Sequence, residues 1–293
     1  MMTDSSKESH TEKIRRPKPF SISLGLLLFS TCFLFTSCEE RLYDCTRHDG
    51  DGNLKSIVPC DKNGTYQGEY LEYHKTGKLW ERRYYVDGLQ EDTTRLFFYK
   101  TGETLMEFPM VNDKRHGMVR KFREDGSVEF QQEWSEGQKH GEHTIFYENG
   151  TPREVTTYKD GAQTGAYRFY SEDSSLIVSG EYHRGAKYGT WSHHDDDGTL
   201  LATISWYNNL KEGPFKVFRE NGGAYVAGEF KEDYLEGEVS YLTADGAVSR
   251  TERYRKGMNQ SGRASRFRNG RAIFSLGGPK TAYIMPDTVW INH

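Results

Sequence analysis

The chain has little of what many folds lean on. Of its 293 residues only eight are proline and four are cysteine, and hydrophobic residues make up 35%. So few cysteines exclude a disulfide-dense scaffold, and none of their spacings with histidine suits a structural zinc. The balance of charge is mildly acidic, with a formal net charge of −4, which argues against a broad nucleic-acid face, since phosphate neutralisation needs clustered cations. Long apolar runs are absent apart from Phe20–Phe35. There is no Gly-x-Ser-x-Gly elbow and no phosphate loop.

What is plentiful is glycine, with 30 residues, and aromatics at 14%; both recur on a fixed period. From His116 to Asn259 the sequence divides into six blocks of 24 residues without an insertion. An opening glycine recurs at Gly117, Gly141, Gly165, Gly189, Gly213 and Gly237. A second recurs at Gly126, Gly150, Gly198, Gly222 and Gly246, with Ser174 in the third block's slot. An aromatic follows eight residues later each time, at Trp134, Tyr158, Tyr182, Trp206, Phe230 and Tyr254. Such a register identifies a repeat array, which grows along one axis instead of around one core.

Asp125-Gly126, Asn149-Gly150 and their equivalents are turn dipeptides, because glycine accepts the positive φ a tight hairpin needs. The flanking segments are too short for most helices, and they alternate. Val128/Phe130/Trp134 and Leu200/Ala202/Ile204/Trp206 occupy every second position, with polar residues between; that period of two is a strand with one apolar face. The expected fold is all-β: an elongated single-layer antiparallel sheet of tandem β-hairpins, open and twisted. Val119, Tyr167, Trp191, Phe215 and Val239 join the apolar face if the turn holds two residues. A turn of three or four residues with a bulge would bring over a second column, Tyr73, Tyr99, Phe122, Phe146, Tyr170 and Phe218; the sequence leaves the register open.

The ends read differently. Lys13, Arg15, Arg16 and Lys18 precede the apolar run, which ends in Phe35-Thr-Ser-Cys38. A charged start, an apolar middle and small residues at the cut describe a secretory signal over residues 1–37. The ending resembles the lipobox of bacterial lipoproteins, which implies cleavage before Cys38 and its acylation; a plain signal peptide or an N-terminal membrane anchor is the alternative. Glu39 and Glu40 resemble the acidic surface-export signal of some lipoproteins. Loss of residues 1–37 takes five of the 39 basic and three of the 43 acidic residues, leaving a net charge of −6. Residues 38–64 then form the anchor and a degenerate first repeat. Its Cys45 and Cys60 are candidates for a disulfide in an oxidising compartment. Residues 65–259 are the array, and residues 260–293 a partial repeat and cap.

The skeleton His140-Gly141-Glu142…Phe146-Tyr147-x-Asn149-Gly150…Tyr158-Lys159-Asp160-Gly161, with its copies, resembles the MORN-repeat variant family. The resemblance covers about 200 residues and implies an elongated hairpin sheet used in protein or membrane interaction. Some bacterial members look like toxin-neutralising proteins. The family has no catalytic motif to carry over.

Two clusters invite chemistry. His48–Asn53 (HDGDGN) lacks the Gly and the bidentate Glu of a calcium loop, so an Asp-Gly turn is expected. His193-His194-Asp195-Asp196-Asp197 offers adjacent histidines that point to opposite faces of a strand, with His194 in the second aromatic slot. No catalytic residue, metal or cofactor is assigned, because each carboxylate stands at a repeated site whereas an active site should break the repeat. The expected function is a non-enzymatic lipoprotein scaffold of the cell envelope. It would be lipid-anchored to the outer membrane, facing the periplasm or the cell surface, and would bind an unidentified protein. The candidate binding face is the column Tyr85, Trp134, Tyr158, Tyr182, Trp206, Phe230 and Tyr254. Glycan or cell-wall binding by the same ladder, and an antitoxin or immunity role, are the alternatives.

Overall fold

The structure, a computed structural model, describes residues 11–15 and 41–260. Among these every regular element is a strand. The chain divides into two units, residues 1–138 and 139–293. Cys38 and nearly all of the expected cap lie outside the described residues.

The first unit comprises β1 (Thr11–Arg15), β2 (Tyr43–His48), β3 (Leu54–Cys60), β4 (Gly68–Tyr73), β5 (Leu79–Val86), β6 (Leu89–Phe97), β7 (Thr104–Val111), β8 (Lys114–Arg115), β9 (Gly117–Phe122) and β10 (Val128–Ser135). They pair antiparallel in chain order, except that β7 meets both the short β8 and β9. The second unit comprises β11 (Gln138–Phe146), β12 (Pro152–Lys159), β13 (Ala162–Tyr170), β14 (Leu176–His183), β15 (Ala186–His194), β16 (Leu200–Tyr207), β17 (Leu210–Phe218), β18 (Ala224–Lys231), β19 (Tyr234–Leu242), β20 (Val248–Arg255) and β21 (Met258–Asn259), again paired in chain order. Among the described residues no pairing joins a unit's last strand to its first, so each sheet is open.

Two kinds of turn alternate, and together they answer the register question. At one end of the strands the loop holds three residues. In Glu148-Asn149-Gly150, the Gly150 N–H donates to Tyr147 O, the Tyr147 N–H donates to Thr151 O, and only Gly150 has positive φ, at 85°. A bulge follows, shifting the register between Ile145 and Phe146. At the other end the loop holds two residues that both have positive φ, as in Asp160-Gly161 at 50° and 82°; this twisted turn suits the right-handed twist of strands. Asn208-Asn209 and Glu232-Asp233 do the same without glycine. The second residue of each two-residue turn donates its N–H to the preceding repeat: Gly161 to Lys139 O, Gly185 to Gln163 O, Asn209 to Lys187 O, Asp233 to Lys211 O. Hairpins are thereby stitched at a constant offset.

Cross-strand partners share a face, so pairing defines the apolar side. Val119, Tyr167, Trp191, Phe215 and Val239 lie opposite Gln132, Gly180, Ile204, Gly228 and Glu252, on the ladder's side. The expected second column does not form a row there. Phe122, Phe146, Tyr170 and Phe218 fall at the bulge, and the residues that line the face are one place earlier: Lys121, Ile145, Phe169 and Val217.

Two packed clusters result. In the first unit Cys45, Val58, Cys60 and Tyr70 are buried, with Tyr43, Tyr66 and Tyr85 against them. Cys45 and Cys60 form a disulfide with Cα atoms 5.9 Å apart. In the second unit the core runs from Val178 through Trp191, Ile204, Trp206, Phe215, Phe230 and Leu235 to Tyr254.

Candidate binding face

The seven rungs of the expected binding column do not share one environment. Tyr85 packs edge-on to Tyr66 with ring centroids 5.4 Å apart. Trp134 and Tyr158 are half-buried. Tyr182 meets Trp191 at 5.3 Å, edge to face. Trp206, Phe230 and Tyr254 are only 8%, 2% and 1% exposed; these three belong to the core and offer no surface. The rungs best filled with apolar atoms are the ones that fold the unit, which an alternating pattern cannot distinguish from rungs that bind.

A second column, absent from the sequence reading, runs beside the rungs. Arg115 lies over Trp134 and Phe108, at 5.0 and 4.8 Å from the ring centroids. Lys139 lies over Tyr158 at 4.8 Å. Lys187 lies over Trp191 and Trp206 at 4.6 and 4.8 Å, and Lys211 over Trp206 and Phe230 at 5.6 Å each. These cations stand 24 residues apart, with Gln163 in the slot between Lys139 and Lys187. Each stem covers a ring while the ammonium or guanidinium meets its π face, worth ~0.5–1 kcal/mol at partly exposed sites. The 24-residue spacing of Arg115, Lys139, Lys187 and Lys211 was the signal that could have revealed the column.

At the ends of the array, ion pairs replace small and apolar residues on this face. Arg83 pairs with Glu81, and Arg250 with Glu252 at 3.4 Å. Glu252, buried, also accepts hydrogen bonds from the hydroxyls of Tyr254 and Tyr241 at 2.8 and 3.4 Å. Burial raises the Glu154 carboxyl above its ordinary pKa.

The histidine pair is split by the bulge. His193 lies opposite Ala202 on the packed face and His194 opposite Leu200. Burial, then Lys187, His194 and Lys211, lower the His193 pKa to about 4, so its ring is neutral at pH 7. Asp195 caps the turn, accepting from the N–H groups of Asp197 and Thr199 at 3.1 and 2.8 Å. Asp49 likewise accepts from Asp51 and Asn53, both at 2.9 Å. Among the described residues no group of three His, Cys, Asp or Glu is placed to hold a metal ion.

Exposed rings occur on the opposite face. Tyr188, Tyr207 and Tyr234 are 45%, 60% and 48% exposed and Leu210 is 42% exposed. Tyr207 pairs across the turn with Leu210. The rings of Tyr188 and Tyr207 stand 5.7 Å apart, inclined at 52°. Their slots hold His116, His140 and Thr164, and Ser135, Lys159 and His183, in earlier repeats. Here the repeat is broken.

Residues 66–87 and 139–160 match the MORN repeat variant, and the chain carries repeats of that type. No curated protein matches it. Among solved structures it is similar over 46% of its length to the S. aureus TarM G117R mutant in complex with Fondaparinux, alpha-GlcNAc-glycerol and UDP, at 16% identity, a TM-score of 0.14 and 21% of that chain. A crystal structure of TarM gives 17% identity over 46% of this chain and 20% of that one, with the same TM-score of 0.14. The likeness spans about a fifth of those chains and carries no argument about fold or activity.

Proposed function

We propose that this MORN-variant repeat protein is a non-enzymatic scaffold of the cell envelope that binds a partner protein through the exposed aromatic face of its second unit. One observation carries the reading. Tyr188, Tyr207, Leu210 and Tyr234 are exposed together on a sheet whose other face is occupied by the core. Aromatic residues that break a repeat and stay in water mark interaction sites more often than packing. The ring pair inclined at 52° favours a protein surface over a glycan, whose stacking needs coplanar rings.

The envelope address rests on the sequence around Cys38. Cleavage there would remove Thr11–Arg15 and leave β2 as the first strand of the mature chain. The test is a pull-down from envelope extracts with the wild type and with Tyr188→Ser/Tyr207→Ser/Tyr234→Ser. The expected result is a partner captured by the wild type and lost by the variant at unchanged melting temperature. A partner retained undiminished by the variant, or a glycan array that retains the wild type while no protein is captured, would overturn the proposal.

A further inference from the structure

Two turns of the second unit carry the same three residues in the same slot, three repeats apart: Glu148-Asn149-Gly150 and Glu220-Asn221-Gly222. Both loops close alike. The Gly150 N–H donates to Tyr147 O at 3.1 Å and the Gly222 N–H to Arg219 O at 2.8 Å, and both glycines have positive φ. In each, the asparagine Oδ1 accepts the main-chain N–H two residues on, from Thr151 at 2.9 Å and from Gly223 at 3.1 Å. Such a bond folds the side chain back along the main chain, which brings Cγ toward the nitrogen of the following glycine. Glycine has no side chain to hinder an attack of that nitrogen on Cγ.

What differs is how the amide is held. Asn149 Nδ2 donates to Glu172 O at 3.1 Å, and the Thr151 hydroxyl lies between Asn149 Oδ1 and Glu172 O, at 2.6 and 3.1 Å. The Asn149 amide is thus clamped to the next hairpin through both of its polar atoms. In the later turn Gly223 stands where Thr151 does, and Asn221 keeps only the bond from the Gly223 N–H. Its Nδ2 has no acceptor among the described residues. Both asparagines are exposed, so burial does not separate them. Room for the missing clamp is present: a Cβ on Gly223 would stand 3.3 Å from Asn221 Oδ1 and 3.8 Å from Ala244 O, the carbonyl in the slot of Glu172. Asn63-Gly64, the other such pair among the described residues, has its Nδ2 3.5 Å from the Asp61 carboxylate, whose charge opposes an anionic nitrogen nearby.

We propose that Asn221 is a site of spontaneous covalent modification and that Asn149 is protected from it. The Gly222 nitrogen gives its proton to hydroxide and attacks Asn221 Cγ. The new N–C bond closes a cyclic imide, the Cγ–Nδ2 bond breaks, and ammonia leaves with a proton taken from water. Water then opens the imide at either carbonyl, leaving aspartate or isoaspartate. The Gly222 bond to Arg219 O has to open first, a local event at the rim of a sheet; in the Asn149 turn the clamp has to open as well. The product puts a carboxylate beside Glu220. Its isoaspartyl form also adds a carbon to the main chain of the loop between β17 and β18, which carry Phe215 and Phe230 of the core.

The test incubates the full chain in mildly alkaline buffer and maps its peptides by mass spectrometry, separating the asparagine, aspartate and isoaspartate forms. Asn221 should convert several-fold faster than Asn149 in the folded chain. The same incubation in guanidinium chloride should bring the two rates together, since the Glu-Asn-Gly triplets are identical and only the fold separates them. Exchanging the clamp is the second arm: Gly223→Thr should slow Asn221, and Thr151→Gly should speed Asn149. Melting curves taken alongside show whether each variant is folded, and the comparison within the wild type stands without either. Equal rates for Asn149 and Asn221 in the folded wild type overturn the proposal. So does a difference that persists undiminished in guanidinium chloride.

Discussion

Gly180 lies directly beneath the indole of Trp191. A Cβ built on Gly180 would fall among the ring atoms Cγ, Cδ2 and Cε2. The φ of Gly180 is not in the left-handed region, so this glycine serves space and not conformation. Gly228 has the same relation to Phe215 one hairpin pair later, where a Cβ would stand 2.9 Å from Phe215 Cε1 and 3.0 Å from Val239 Cγ2.

Overpacking of this kind typically costs about 1–3 kcal/mol. Gly180→Ala should therefore lower stability in urea unfolding, with Gly228→Ala milder because its nearest atoms are slightly farther away. Trp191→Leu in the Gly180→Ala background should recover part of the loss. The double-mutant cycle would then be non-additive, as residues in contact require; additive losses would show that the glycine acts through the backbone.

Asp233 has positive φ, at 70°, and its side chain holds the main-chain N–H of Lys211. Its own N–H donates to Lys211 O. Asp233→Ala keeps the last bond, loses the side-chain bond and places a Cβ residue without local compensation in the left-handed region, at about 1–2 kcal/mol. Asp233→Gly removes that strain and should be the milder of the two in thermal unfolding. Equal losses would assign the whole effect to the side-chain bond.

Cys45 and Cys60 are 4% and 0% exposed and pack with Val58 and Tyr70. Closing the loop between them is worth ~3 kcal/mol in the chain-entropy model. Cys45→Ser/Cys60→Ser should loosen the start of the first unit, read as faster amide exchange across β2 and β3. The second unit should keep its protection, because its core shares no residue with that cluster.

Much of this was legible from Gly126, Asn149-Gly150 and Trp206: period, strand character and the identity of the apolar face follow from spacing alone. The turn class was not, because a dipeptide such as Asn149-Gly150 suits both a two-residue turn and a three-residue turn with a bulge. That choice moved the inner column from Tyr170 to Phe169. The turns Asn208-Asn209 and Glu232-Asp233 escaped notice because their positive φ is carried without glycine. Alternation marks which residues share a face and not which face meets water, and so it did not separate the buried Trp206, Phe230 and Tyr254 from the other rungs. Tyr188 and Tyr207 were readable only as departures from the repeat.

His193 gives a pH dependence whose sign is fixed by its surroundings. Its folded-state pKa is lowered to about 4, by burial first and then by Lys187, His194 and Lys211, against an ordinary value near 6.5. Between these values the unfolded chain binds the proton and the folded chain does not, so protons favour unfolding. The stability contributed is full above about pH 6.5 and is lost as the pH falls toward about 4, by at most about tenfold in the folding constant per pH unit. Because burial also raises the Glu154 carboxyl, the histidine's share in the window from pH 7 to pH 5 is read as the difference between the wild type and a variant lacking the imidazole. His193→Phe should flatten the decline in that window while leaving the decline below it. A variant as pH-sensitive as the wild type between pH 7 and pH 5 would place the titrating group elsewhere on the sheet.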